Sequence, residues 1–383
     1  MRANKFILMA STAFATSISV AQADISVVAS IKPVHSLVAG VMEGVGTPNI
    51  IVDGAGSPHS YSLKPSQAKE LQEANAVFWF GRDLETFLEK PIEALSSKAN
   101  VVQLLDTDGL LKLEFREGGP FSEHDHDDHD DHDDHDDHDD HDDHDDHDDH
   151  DDHDDHDDHD DHKDHDDHDD HKDHDDHDDH KDHDDHDDHK DHDDHDDHKD
   201  HDDHDDHHDH GEHDPHVWLD PKNASLLVGK IADELSLIDP SNATKYANNA
   251  KKIQGDLNQL VEDITVELKP LSNEGYIVFH DAYQYFEKRF GVSAIGSVTV
   301  SPEILPGVER TKELREKIVS LAASCVFSEP QFEPKIVNTL VEGTGVGTGV
   351  LDPLGASIEN GPDLYFKLIR NMASSIKNCL TKS

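Results

Sequence analysis

One run of 92 residues, Glu123 to Asp214, constrains this chain more than any other feature, because it contains no apolar side chain. It holds 32 His, 54 acidic residues and 5 Lys, built from HDD triplets with a lysine every nine residues from Lys163 to Lys199. Such a tract has nothing to bury and is expected to be disordered, so any core must come from the sequence on either side of it. The tract also carries −49 of the chain's formal charge of −56. The remaining −7 includes no basic face for phosphates, which argues against nucleic-acid binding.

The first 23 residues read as an export signal. Arg2 and Lys5 form a basic head, Phe6 to Val20 is mostly apolar, and Ala21-Gln22-Ala23 offers the small-x-small pattern cut by signal peptidase, with cleavage before Asp24. The apolar run is shorter than a membrane span and contains Ser11, Thr12, Thr16 and Ser17. A soluble mature protein outside the cytoplasm is expected. The chain has two cysteines, Cys325 and Cys379, and in an oxidising compartment such an isolated pair reads as a disulfide.

Without signal and tract, 268 residues remain, enough for two lobes of ordinary size. In the first, Ile25–Ala29, Asn49–Val52, Ala76–Phe80 and Val101–Leu105 read as buried strands. Pro33–Val45, Pro65–Ala74 and Asp83–Leu95 read as the helices between them. The second repeats the pattern, with strands at Tyr276–Phe279, Ala294–Val298, Cys325–Ser328 and Gly347–Leu351 and helices at Ala282–Phe290, Gly307–Ala322, Glu333–Gly343 and Pro362–Leu380. This alternation predicts an α/β fold with two parallel sheets covered on both faces. Residues 24–122 with 215–238 would form the first lobe, and 271–383 the second. Between them, 239–270 carries one apolar stripe, Tyr246, Ala250, Ile253, Leu257, Leu260, Ile264 and Leu268. That spacing predicts a single linking helix of ~45 Å, started at Asp239-Pro240 and closed by Pro270.

Four histidines lie outside the tract: His35, His59, His216 and His280. His59 follows the second strand, and His280 ends the first strand of the second lobe. Asp352 ends the last strand, and His216 precedes a helix capped by Asp220-Pro221. In open parallel sheets the carboxyl ends of the strands face the binding crevice. Three imidazoles and a carboxylate converging there would suit a tetrahedral divalent metal, zinc before manganese or calcium. His35, inside a predicted helix, reads as a structural residue.

The segments GSPHSYSLKPSQ, DPHVWLDP, VFHDAYQYFEKRFG, SPEILPG, CVFSEPQF and LDPLG, in this order, resemble the metal-specific solute-binding proteins of bacterial ABC importers, and among them the component of zinc importers. The resemblance implies two α/β lobes joined by a rigid helix, one metal in the cleft and a membrane permease as partner. It places the family's ligands on His59, His216 and His280, with Asp352 at a position that is a carboxylate ligand in many members. Manganese-binding relatives tend to carry Glu where His280 stands, which favours zinc. Some zinc members have an acidic residue before the first ligand His; here Pro58 stands there, so Asp352 or a water would complete the set. A cysteine pair near the C-terminus is similar to that of zinc members.

The tract has two readings: a solvated spacer produced by repeat expansion, or a high-capacity, low-affinity zinc collector ending two residues before His216. Its dense carboxylates would raise the His pKa values, so protons would compete with metal at mildly acidic pH. A hydrolase is disfavoured by the lack of HExxH and of a paired nucleophile and base. A periplasmic zinc receptor for an ABC permease, monomeric and not an enzyme, is the expectation. A secreted zinc-sequestering or adhesive protein is the alternative.

Overall fold

In the computed structural model, residues 25–116, 121, 213–299, 307–333 and 335–381 are described. The export signal, the repeat tract up to residue 212 and most of SPEILPG lie outside them.

The first lobe runs β1 (Val27–Ile31), α1 (Lys32–Val41), β2 (Asn49–Val52), α2 (Pro65–Glu73), β3 (Ala76–Trp79), α3 (Thr86–Leu95) and β4 (Asn100–Gln103). After the tract come α4 (Pro221–Ile238) and the long α5 (Ala243–Leu268). The second lobe runs β5 (Gly275–His280), α6 (Gln284–Phe290), β6 (Ser293–Thr299), α7 (Val308–Ser320), β7 (Cys325–Ser328), α8 (Lys335–Val341), β8 (Gly347–Val350) and α9 (Leu364–Leu380). Each lobe has one four-stranded sheet, all pairs parallel, ordered β2-β1-β3-β4 and β6-β5-β7-β8. The α/β expectation holds.

Both sheets wind the same way. The chain leaves the first strand to one side, then returns to the other, so a switch point falls between β1 and β3 and again between β5 and β7. Side chains at the carboxyl ends of these strands are where a ligand crevice forms.

The stripe on α5 is buried along its length: Tyr246, Ala250, Ile253, Leu257, Leu260, Ile264 and Leu268. At 1.5 Å per residue its 26 residues span ~39 Å. The helix starts later than the Asp239-Pro240 signal suggests, because a 3-10 turn, Pro240–Asn242, precedes it. Asp239 holds that turn by accepting from Asn242 Nδ2 and the Tyr246 hydroxyl. One apolar cluster runs from β1 and β3 through α4 and α5 to α6 and α9, so the lobes share a core. A smaller cluster fills the far face of the second sheet, under α7 and α8.

Most strands and helices begin or end a few residues from the sequence expectation, and two of these differences have a clear cause. Helix α1 ends at Val41 and not at Val45, because Gly44 takes a left-handed φ of +71° that a continuing helix cannot contain. His213 and Asp214, which close the repeat tract by composition, belong to the folded body: His213 bridges Glu114, and Asp214 is fully buried. The Cys325–Cys379 disulfide is present, with a Cα–Cα distance of 6.1 Å, and ties β7 to the last turn of α9. Among the described residues, no helix is long and apolar enough to cross a membrane.

Candidate metal centre

Three of the four sequence-derived site residues meet. One nitrogen each from His59, His216 and His280 lie within 4.8 Å of one another. His59 comes from the loop after β2, which Gln67 of α2 secures by donating to the Ile51 carbonyl and the Tyr61 hydroxyl. His216 follows Pro215 and opens a short 3-10 turn, Val217–Leu219. Trp218 anchors that turn to the second lobe, donating from Nε1 to the Pro353 carbonyl, while its own carbonyl accepts from the Tyr365 hydroxyl. His280 is the last residue of β5, beside the switch point.

The Nε2 atoms of His216 and His280 are 3.4 Å apart. Zinc–nitrogen bonds of about 2.05 Å arranged tetrahedrally put the nitrogens about 3.3 Å apart, so these two rings already stand at the edge length of such a site. His59 is the more exposed of the three, since His216 and His280 are both buried.

Each buried imidazole is backed by a buried carboxylate. His216 Nδ1 lies 2.6 Å from Asp214 Oδ1, which also accepts from the His216 backbone N–H. His280 Nδ1 lies 2.7 Å from Glu329 Oε1, and Glu329 follows β7 on the other side of the switch point. A carboxylate on Nδ1 fixes the ring's rotation and places the proton there, leaving the Nε2 lone pair free for a metal. Burial, followed by the charge of His280, pushes His216 well below the ordinary imidazole range. Burial also pushes the Asp214 carboxyl up to about 7. The pair therefore resists carrying separate charges, and a cation at Nε2 would supply what the buried carboxylate lacks.

Asp352 does not join the converging group. Its Oδ1 accepts from the backbone N–H groups of Leu354 and Gly355 and from Gln331 Nε2, and its Oδ2 accepts from Ala356 N–H at 2.6 Å. The carboxylate builds the turn after β8. His35 is buried in α1, with Nε2 3.1 Å from the Pro48 carbonyl, as the structural reading requires.

Sequence reasoning missed Asp214, Glu329 and a set of ties across the cleft. Arg116 pairs with both Asp281 and Glu287, and Arg289 of α6 pairs at 2.6 Å with both oxygens of Asp220, the cap of α4. The DPH and SEP triplets were the available signal, each setting an acid near a ligand or at a strand end.

This geometry agrees with what the chain is similar to. The family model for the periplasmic zinc-uptake complex component A, ZnuA, matches residues 27–379. The chain belongs to the ZnuA family. The high-affinity zinc uptake system protein ZnuA of Brucella suis is 50% identical over 356 residues, covering 93% of this chain and 92% of that protein. Its counterpart in Yersinia pestis is 30% identical, covering 94% and 92%. Among solved structures, a ZnuA crystal structure matches with a TM-score of 0.62 at 19% identity, covering 93% of this chain and 99% of the other. The laminin-binding adhesin Lmb of Streptococcus agalactiae matches with a TM-score of 0.61 at 20% identity, with the same coverages. A manganese-bound solute-binding protein of Pseudomonas aeruginosa matches with 0.62 at 16%, covering 94% and 99%. At these identities the structures bear on the fold alone, and one fold spans different metals. The fold therefore does not choose the metal, whereas the family model and the sequence relatives are those of zinc uptake.

Proposed function

We propose that this chain is the periplasmic zinc receptor of an ABC importer: it captures one zinc ion between His59, His216 and His280 and delivers it to a membrane permease. The observation that carries this reading is the convergence of three imidazoles, two of them buried and carboxylate-backed, at the mouth of two parallel sheets. An all-nitrogen set favours zinc over the harder manganese and calcium ions. Water takes the fourth position, because the Asp352 oxygens are committed to the turn after β8. No step of chemistry is asked of the site. The ion is cargo, and its ligands must release it on docking.

Residues 1–23 direct export and are removed after Ala23, and the receptor works as a monomer. The repeat tract gathers zinc at low affinity from dilute surroundings, its imidazoles and carboxylates acting as many weak ligands. A strain lacking this chain should stop growing in chelated medium and resume with added zinc. The wild-type gene should restore growth and radioactive zinc uptake, and a His280→Ala gene should not. Uptake restored by His280→Ala would refute the reading.

A further inference from the structure

Beside the three imidazoles stands Gln284, at the start of α6 and 9% exposed. Its Nε2 lies 3.1 Å from Asp214 Oδ2 and 3.3 Å from the Glu114 carbonyl oxygen. The Glu114 carbonyl and the ionised Asp214 carboxylate only accept, so the amide presents its two N–H donors to them. The next residue strengthens the same contact: the Tyr285 hydroxyl donates to the Asp214 carbonyl and accepts from Leu113 N–H. Asp214 is thus gripped from the second lobe through Oδ2 and its carbonyl, while Oδ1 grips His216.

We propose that Gln284 is a positioning residue for zinc: by donating across the cleft to Asp214, it lets the lobe that carries His280 set the orientation of His216 on the other lobe. This rests on the metal-centre reading above. His280 and Gln284 are four residues apart, on β5 and at the start of α6, so one rigid segment supplies a ligand and the support of its partner ligand. Separating the lobes breaks the Gln284–Asp214 bond and leaves the carboxylate behind His216 held only by its Oδ1 contacts to His216 itself. Zinc affinity is thereby coupled to closure.

The test exchanges donor and acceptor. Gln284→Glu puts a carboxylate against Asp214 Oδ2, and Asp214→Asn puts an amide nitrogen there while keeping Oδ1 for His216. Tight zinc binding is measured on the full chain by competition with a chelator strong enough to keep the repeat tract empty. The melting temperature of the zinc-free protein is followed in parallel. Each single variant should bind zinc about 10–100-fold more weakly, the range for losing an outer partner of a metal ligand. The double variant should regain at least part of the Gln284→Glu loss, because the bond re-forms in reverse. Recovery is partial, since the Glu114 carbonyl still faces the new carboxylate. Gln284→Ala, which adds no repulsion, should weaken binding in the same direction. Unchanged zinc affinity in both Gln284 variants, or losses that simply add in the double variant, overturns the proposal. A His216→Ala control that binds as wild type would instead remove the metal centre itself, so the two failures are distinguishable.

Discussion

Glu329 Oε1 lies 2.7 Å from His280 Nδ1 although 49 residues separate them, because β5 and β7 are hydrogen-bonded neighbours that both end at the switch point. The contact fixes the ring and holds its proton on Nδ1. Glu329→Gln keeps an acceptor and removes the charge. It should weaken tight zinc binding about 10–100-fold, measured by chelator competition, with a similar zinc-free melting temperature. Unaltered affinity would show that the carboxylate does not tune the ligand.

The pH dependence of stability has a source remote from the metal. Glu85 is fully buried; burial pushes its carboxyl up to about 7, against the opposing pull of the Gly81 and Phe80 N–H groups. The folded state therefore holds this proton more tightly than the unfolded chain, whose value is near 4.5. Stability should fall as pH rises from about 4.5 to about 7 and level off above, by about 3 kcal/mol in total from this group. Glu85→Gln mimics the protonated acid, so its advantage over wild type should grow across that window. Denaturant unfolding at several pH values tests this; a difference that stays constant with pH would contradict it.

Removing both cysteines should cost about 4 kcal/mol by the chain-entropy estimate for a loop of this length, since Cys325 and Cys379 are 54 residues apart and join β7 to α9. Zinc affinity should hold, because the bond is at the opposite end of the strand from Glu329. Unfolding of a Cys325→Ala/Cys379→Ala protein provides the number, and alkylation of the exported wild type should find no free thiol.

Much of this arrangement was legible in the sequence. The α5 stripe named every residue that the helix buries, and the continuous apolar strands gave both parallel sheets. His59, His216 and His280 stood out as isolated histidines at strand ends and turns. What escaped notice depends on distant pairing: Arg116 meets Asp281 165 residues away, and no local pattern announces that. Asp214 was hidden differently, because its composition matched the tract before it. Asp352 occupied the expected place, yet the turn it builds uses its oxygens.

That boundary has an experimental consequence. Deleting residues 123–212 should leave one tight zinc per molecule while lowering the total bound, since His213 and Asp214 keep their places against Glu114, Gln284 and Tyr285. Extending the deletion through Asp214 removes the carboxylate behind His216 and should weaken the tight phase. Calorimetric titration of the two deletions distinguishes them; identical tight phases would return Asp214 to the tract.

The central claim is that three histidines from two lobes hold one zinc ion. Its most direct test is chelator competition on the 123–212 deletion with and without His280→Ala. The parent should bind one zinc tightly, the variant should bind it more weakly by orders of magnitude, and the zinc-dependent rise in melting temperature should largely disappear with it. An unchanged affinity in His280→Ala would contradict the account.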